Sequence, residues 1–194
     1  MSQIQPSSLL PSLFAQIDEE RRLNVLHVGP ALPETVEFFS RYRCKLYFVD
    51  LFSELSHLQT DAEAPLTLEQ QFRALLQLDS GATLDLCLFW DLFNFMDRAA
   101  TQAFLVAIRP HLHSGTLAHG FAVHNLKTPQ SGQLYGIREA DQVSLRARSA
   151  DLPGYCPHNQ GQLEQLLDCF RFRRSVLLPG SRLEMLLEAS IRDD

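Results

Sequence analysis

The stretch LNVLHVGPALPETVEFFSRYRCKLYFVD, from Leu23 to Asp50, decides the fold of this chain. Two apolar runs of strand length enclose a glycine-containing turn and a segment with apolar residues at helical spacing. The four parts, in chain order, are Asn24 to Val28, Gly29-Pro30, Glu34 to Tyr42 and Lys45 to Val49. This order predicts a β-α-β unit with parallel strands, and an acid, Asp50, follows the second strand.

Gly29 and Asp50 indicate what this unit could bind. Glycine in the first turn allows a ligand to approach the backbone, and an acid after the second strand can accept hydrogen bonds from ribose hydroxyls. We therefore predict that the unit holds an adenosine above Gly29, with its ribose on Asp50. Asp50 could instead be the N-cap of the next helix, a common role for aspartate. Its place at the end of a β-α-β unit favours the ribose role.

The composition is that of an ordinary folded protein. The 194 residues suffice for one well-buried domain, and we expect a single domain over residues 1–194. The net charge of −6 argues against a general nucleic-acid binder, because such proteins neutralise phosphates with Lys and Arg. The first residues have the pattern of neither a signal peptide nor a membrane anchor, so we expect a cytoplasmic protein. The four cysteines show no CxxC spacing, which argues against disulfides and a zinc site.

Alternating helix and strand patterns continue on both sides of the opening unit. Before it, Ser8 to Arg21 has the apolar spacing of a helix, which predicts an N-terminal helix within residues 1–22. After it, the patterns indicate a helix, a strand buried on both faces, a second helix and a further strand. These segments are Leu68 to Leu78, Leu84 to Trp90, Asp97 to His111 and Thr116 to Val123. The end of the first segment could instead be a short strand ending at Asp79.

The last third of the chain differs in composition. Residues 125–155 are polar and contain several prolines and glycines, so we interpret them as an insertion that carries short strands. The insertion has two alternating runs, and beyond it a helix pattern precedes two further alternating runs joined by a Pro-Gly turn. These segments are Gln133 to Ile137, Val143 to Ala147, Gln162 to Phe170, Phe172 to Leu178 and Arg182 to Glu188. The last two predict an antiparallel hairpin.

The order of these elements from Leu23 to Ala189 resembles the fold of class I S-adenosylmethionine-dependent methyltransferases. The final hairpin is the discriminating feature, because a plain dinucleotide-binding fold keeps its strands parallel to the end. In local sequence, LDLCLFWDLFNFMD and IRPHLHSGTLAHGF are similar to the family's fourth strand with its following loop, and to its passage into the fifth strand. The resemblance implies an α/β fold with a doubly wound, seven-stranded mixed sheet, Rossmann-like, and an antiparallel C-terminal hairpin.

The resemblance also implies a cofactor, S-adenosylmethionine, and the residues that would hold it. Gly29 would lie against its methionine part, Asp50 would bind the ribose, and Leu51 with Phe52 would pack on the adenine. Asp79 would lie near the adenine amino group if it ends a short third strand. The residues assigned to the cofactor are His27, Gly29, Asp50, Leu51, Asp79 and Asp91, and those assigned to the substrate cleft are Trp90, Phe93 and Asn94.

The first turn departs from the family's pattern. The family's first strand usually ends in an acid followed by three alternating glycines, whereas this chain has His27, Gly29, Ala31 and Pro33 at those positions. Proline has no N–H to donate, so the turn offers a cofactor fewer backbone donors.

Two functions from different classes therefore follow. The first is a methyltransferase that transfers a methyl group to an unidentified acceptor by in-line displacement, with no catalytic base recognised in the sequence. The second is a catalytically inactive methyltransferase fold that acts as an interaction or regulatory module. Its surfaces for a protein partner would be the N-terminal helix and the insertion. A nicotinamide-dependent reductase is the weaker third option, because the terminal hairpin and the single glycine both speak against it.

The remaining titratable residues receive structural interpretations. His27 could be a general base, but a lone histidine in an apolar strand is more often a hydrogen-bonded structural residue. The spacings of the four histidines between residues 111 and 124 match no recognised ligand pattern, so no metal site is predicted. Arg146 and Arg148 lie in the polar insertion, where we expect exposed side chains without a ligand.

Overall fold

The computed structural model describes residues 2–61, 63–129, 132–148 and 154–191. These residues form nine strands and six α-helices. In chain order they are β1 (Gln3–Pro6), α1 (Leu10–Phe14), β2 (Leu23–Val28), α2 (Pro33–Phe39), β3 (Cys44–Val49), α3 (Leu51–Glu54), α4 (Leu68–Leu76), β4 (Leu84–Trp90), α5 (Arg98–Ile108), β5 (Leu112–Val123), β6 (Gln133–Glu139), β7 (Gln142–Ala147), α6 (Gln160–Leu166), β8 (Phe170–Leu178) and β9 (Arg182–Ala189). Short 3₁₀ turns lie at Leu55–His57, Leu92–Asn94, Arg109–His111 and Pro179–Ser181.

The larger sheet has the strand order β3-β2-β4-β5-β9-β8. Strand β2 pairs in parallel with β3 and β4, and β4 pairs in parallel with β5. Strand β9 runs antiparallel between β5 and β8, which confirms the predicted C-terminal hairpin. Helices cover both faces of this sheet, so the predicted doubly wound α/β architecture is also confirmed.

The central strand β4 shows how the two cores form. Alternate side chains point to opposite faces, and because both faces are covered, the strand is a continuous apolar run. Cys87 and Phe89 enter the core under α4, α5 and α6. Leu86, Leu88 and Trp90 enter the core under α1, α2 and the inserted strands.

The described part of the larger sheet has six strands instead of the predicted seven. The segment that ends at Asp79 forms no strand, because the residues before it belong to α4. Phe72 and Leu76 of this helix are buried, and the Phe72 ring lies 5.6 Å from the ring of Phe104. The helix ends at Leu76, and the next residue, Gln77, has the left-handed conformation with φ 46°. Helical packing therefore uses the residues that could have supplied the edge strand.

The N-terminal segment is also different from the predicted long helix. Only Leu10–Phe14 is helical, and Gln3–Pro6 forms strand β1. Beyond α1, the amides of Gln16 and Ile17 donate to carbonyls three residues earlier, each at 3.1 Å, which tightens and ends the helix. The apolar spacing that predicted a helix is explained by burial of Leu9, Leu10, Leu13 and Phe14 in the core on this face.

The insertion forms the main part of a second, antiparallel sheet with the order β1-β7-β6. Its hairpin β6–β7 corresponds to the two short strands that the sequence predicts. The hairpin docks on α2, where the amide of Ile137 donates to the hydroxyl of Thr35 at 3.0 Å. Tyr135, Ile137 and Val143 are buried in the same core as Trp90. The second sheet therefore covers one end of the first.

A buried carboxylate, Glu184, joins β9 to the N-terminal segment. It accepts hydrogen bonds from the Ser7 hydroxyl and the Ser8 amide, the latter at 2.9 Å, and it lies 2.8 Å from Nε2 of His119. The side chains of Glu184 and His119 are both fully buried. Burial raises the pKa of Glu184, but the hydrogen bonds from His119, Ser7 and Ser8 outweigh burial and hold this pKa below its ordinary value.

No helix in the described ranges is both long enough and apolar enough to cross a membrane.

Replacing Glu184 should destabilise the protein far more than replacing a neighbouring surface acid. In Glu184→Gln, the amide keeps the size of the side chain but cannot accept all the donors that the carboxylate satisfies. We expect the free energy of unfolding to fall by about 2–4 kcal/mol in urea titrations at pH 7. The control is Glu188→Gln on the same strand, which loses an ion pair with the exposed Arg171 and should cost less than about 1 kcal/mol. Equal losses in the two variants would contradict this account.

Candidate functional site

The turn after β2 is packed by its own neighbours. Gly29 is buried and has φ +135°, a conformation that only glycine adopts easily. Its N–H donates to the carbonyl of Val49 at 2.8 Å and is not directed to a ligand. The imidazole of His27 lies against the turn, since a Cβ added at Gly29 would meet His27 Cε1 at 3.5 Å. The Gly29 N–H is therefore already engaged, and His27 occupies the space beside the turn, so a ligand finds few backbone groups to bind here.

His27 is buried as a neutral imidazole. Burial lowers its pKa to about 4, although the carbonyls of Gly29 and Tyr135 work in the opposite direction. The indole N–H of Trp90 donates to His27 Nε2 at 3.2 Å, which places the proton of the neutral ring on Nδ1. Nε2 is thus engaged inside the protein and is not available to remove a proton from a substrate.

The inserted sheet covers Trp90 through an aromatic stack. Trp90 ends β4 with φ 54° and has no exposed surface. The ring of Tyr135 lies parallel to the indole, with a centroid distance of 5.2 Å and an angle of 6°. Tyr135 also stacks on Phe121 at 5.5 Å, and the ring of His119 meets the indole edge at 5.7 Å. Trp90 therefore lies beneath the insertion and not on an open cleft.

Asp91, next to Trp90, is a buried carboxyl with an unusual pKa. The hydroxyl of Tyr135 donates to its Oδ2 at 3.1 Å. Burial raises the pKa of Asp91 to about 7, against the opposing effects of Tyr135, Arg182 and Arg148. Within the described residues, neither Oδ1 of Asp91 nor the buried Oδ1 of Asn94 has a hydrogen-bond partner. The end of β4 thus holds two buried acceptors that a ligand or water could satisfy.

Asp50 is held by an arginine of the insertion. Nη1 of Arg148 lies 3.1 Å from each of its carboxylate oxygens, and the hydroxyl of Ser53 donates to Oδ2 at 2.6 Å. The guanidinium carbon of Arg148 lies 4.7 Å from the centre of the Phe52 ring. Asp50 precedes α3 at the N-cap position, but its side chain makes no capping hydrogen bond. Helix capping therefore does not explain this acid.

A second arginine fixes the same strand of the insertion. Nη2 of Arg146 donates to both carboxylate oxygens of Glu34, at 2.7 and 2.8 Å, and the Ser144 hydroxyl donates to the same group at 2.6 Å. Glu34 lies in the first turn of α2, so β7 is attached to the start of that helix. Both arginines were expected to be exposed and without a role, whereas the side chain of Arg148 is only 6% exposed.

A cavity of about 420 Å³ opens beside Asp50. It runs along the outer edge of β3 and is bounded by α3 and the end of α4. Its lining residues include Tyr47, Val49, Asp50, Ser53 and Leu76. Small-molecule sites commonly have volumes of roughly 300–1,000 Å³, so the space suits part of a nucleoside ligand.

Asp79 adjoins the cavity through Tyr47 but lies away from Asp50, and Phe93 and Leu51 are enclosed in the core. Asp79 pairs with Lys45 and accepts from the hydroxyl of Tyr47 at 3.0 Å, which places it near the start and middle of β3. Tyr47 precedes Asp50 by three residues, about 10 Å along a strand. Phe93 packs in the core 5.2 Å from the ring of Phe89, and Leu51 is fully buried.

Tyr135 and Arg148 are the functional candidates that sequence reasoning missed. A weak signal exists for Tyr135, because alternation in Gln133 to Ile137 places its side chain on the same face as Ile137. No local signal exists for Arg148, since its contact with Asp50 joins residues 98 positions apart.

Asp91→Asn should change how stability depends on pH. Folded Asp91 keeps its proton up to about pH 7, whereas its ordinary pKa is 3.8, so the folded state binds more protons in between. The contribution of Asp91 to stability is therefore lost as the pH rises. Relative to the wild type, the free energy of unfolding of the variant should rise between pH 4 and 7, by up to roughly 4 kcal/mol. Urea titrations across this range measure it.

The matched control is His27→Gln, for which the sign reverses. Folded His27 has a pKa of about 4 against an ordinary 6.5, so the unfolded state binds more protons between these values. Its contribution to stability grows as the pH rises, and the variant lacks that gain. The unfolding free energy of His27→Gln should thus fall relative to the wild type from pH 4 to 6.5. Curves parallel to the wild type for both variants would refute these assignments.

Comparison with known proteins supports the fold. No family model matches the sequence, and no curated protein matches it in sequence. The structure is similar to 1,6-didemethyltoxoflavin-N1-methyltransferase of Burkholderia thailandensis, with a TM-score of 0.54, 15% identity and coverage of 95% of this chain and 78% of that one. It is also similar to a proposed type 11 methyltransferase of Sulfolobus solfataricus, with a TM-score of 0.54, 12% identity and coverage of 95% and 92%. The chain therefore has the class I methyltransferase fold.

Proposed function

We propose that this chain is an S-adenosylmethionine-dependent methyltransferase that binds its cofactor where β2, β3 and β4 end, with the ribose on Asp50. The observation that carries the proposal is the position of Asp50. This acid ends the second strand of the β-α-β unit, caps no helix, and lies beside an aromatic ring and a cavity of about 420 Å³.

The surroundings of Asp50 fit an adenosine. A carboxylate can accept hydrogen bonds from both ribose hydroxyls, and the flat face of Phe52 can stack on a planar base. Arg148 now makes both kinds of contact, since its planar guanidinium stacks on Phe52 and donates to Asp50. The choice of ligand is supported by the Burkholderia thailandensis methyltransferase, whose crystal structure contains S-adenosylhomocysteine.

The end of β4 supplies the group best suited to move a proton. The cofactor, when bound, would supply an electrophilic methyl group. A carboxyl with a pKa near neutrality can take the proton from an acceptor, and Asp91 has this property. Tyr135 orients Asp91 by donating to Oδ2, and Oδ1 has no partner among the described residues. Because Oδ1 is buried, an acceptor would reach it only after the insertion that covers the end of β4 moves. We assign the role of general base to Asp91; the acceptor itself is unidentified.

A second candidate function is an inactive methyltransferase fold that acts as an interaction or regulatory module. One observation favours it: His27 packs against the Gly29 turn, where the family's cofactor needs the backbone. In that case Arg148 would hold Asp50 permanently, and the insertion would be a fixed surface for a protein partner.

Calorimetric titration with S-adenosylmethionine and S-adenosylhomocysteine separates the two functions. We expect the wild type to bind, and Asp50→Ala to bind about tenfold more weakly or worse, because charge-assisted hydrogen bonds to the ribose are lost. The control is Asp168→Asn, which should leave the affinity unchanged because Asp168 pairs with Arg109 just before the start of β5, whereas Asp50 follows the end of the parallel strand β3. Absence of binding at millimolar ligand, both by the wild type and by Arg148→Ala, which removes the arginine that contacts Asp50, would support the interaction module instead.

A further inference from the structure

The contact of Arg148 with Asp50 goes beyond what the proposed function requires. The guanidinium is nearly buried, lies 3.1 Å from both oxygens of Asp50 and stacks on Phe52 at 4.7 Å. Arginines also lie over Phe38 and Phe121 in this chain, so the stack alone is ordinary; Arg148 differs because it also contacts the acid at the predicted ribose position. Together the two contacts cover the surface that an adenosine would use.

These contacts and those of an adenosyl ligand exclude each other. A guanidinium and an adenine cannot both lie on the same face of Phe52. The Arg148 guanidinium and the Ser53 hydroxyl both donate to Oδ2 of Asp50. Oδ1 is buried without a hydrogen-bond partner among the described residues and lies 3.1 Å from Nη1 of Arg148, so a ribose hydroxyl reaches it only when the Arg148 side chain moves. Ser53 is only three residues from Asp50 and stays beside it. Arg148 comes from the distant insertion, so its side chain is the one that can leave Asp50.

The position of Arg148 is coupled to the hairpin β6–β7. Its own backbone N–H donates to the carbonyl of Gly132 at 3.1 Å, at the open end of this hairpin. The backbone of Arg148 is therefore fixed to the hairpin, and the side chain can leave Asp50 by rotation about its own bonds. The bidentate contact of Arg146 with Glu34 lies two residues earlier and leaves Asp50 untouched. That contact can keep the hairpin docked on α2 while the Arg148 side chain moves.

We propose that Arg148 is a built-in competitor of the adenosyl ligand, so that the insertion gates the site and binding requires the Arg148–Asp50 contact to break. This inference rests on the proposed function. The ligand-free protein is mostly in the closed state, with Arg148 on Asp50. The apparent affinity for the ligand is the intrinsic affinity reduced by the small open fraction.

The test is the affinity for S-adenosylhomocysteine of the wild type, Arg148→Ala and Arg146→Ala, measured by calorimetry. Arg148→Ala removes the competitor and should bind about five- to tenfold more tightly, as expected for an open fraction of about 10–20%. Arg146→Ala removes an arginine two residues away that does not contact Asp50, so its affinity should stay within about twofold of the wild type. Equal or weaker binding by Arg148→Ala, with the wild type binding, would overturn the gate and leave the proposed function standing.

Failure of the proposed function gives a different pattern. If neither the wild type nor Arg148→Ala binds at millimolar ligand, the cofactor site itself is refuted. Binding by Arg148→Ala alone would support both proposals.

Discussion

The parallel stack of Tyr135 on Trp90 is the contact on which the candidate site depends. It joins the inserted sheet to the central strand of the larger sheet, and hydrogen bonds extend from it on both sides. Trp90 donates to His27 at the end of β2, and Tyr135 donates to Asp91 at the end of β4. The insertion is therefore part of the protein core, and this is why one of its arginines can reach Asp50.

Burial of this region is possible because its two main titratable groups lose their charge. His27, with a pKa of about 4, and Asp91, with a pKa of about 7, are both neutral in the folded protein between these values. Their contributions to the pH dependence of stability have opposite signs and partly cancel. Because His27 is neutral, its ring can pack against the Gly29 turn inside the protein. Asp91, in contrast, titrates near neutral pH and keeps one acceptor oxygen without a partner among the described residues.

Local patterns predicted the elements whose formation depends on local periodicity. In the unit from Leu23 to Asp50, in strand β4 and in the terminal hairpin, the order and spacing of apolar residues match the observed helices and strands. The prediction of a seventh strand was wrong. The residues before Asp79 also have helical spacing, and packing of Phe72 against Phe104 stabilises the helix. The contact between Arg148 and Asp50 could not be predicted, because it depends on how the inserted sheet docks on the first one.

The central claim is that Asp50 is an adenosine site that the insertion keeps closed. A crystal structure of the wild-type protein with S-adenosylhomocysteine tests it most directly. The account predicts ribose hydroxyls on the carboxylate of Asp50, adenine against Phe52, and the Arg148 guanidinium displaced from both. A structure in which the ligand is bound while Arg148 remains on Asp50 would contradict it.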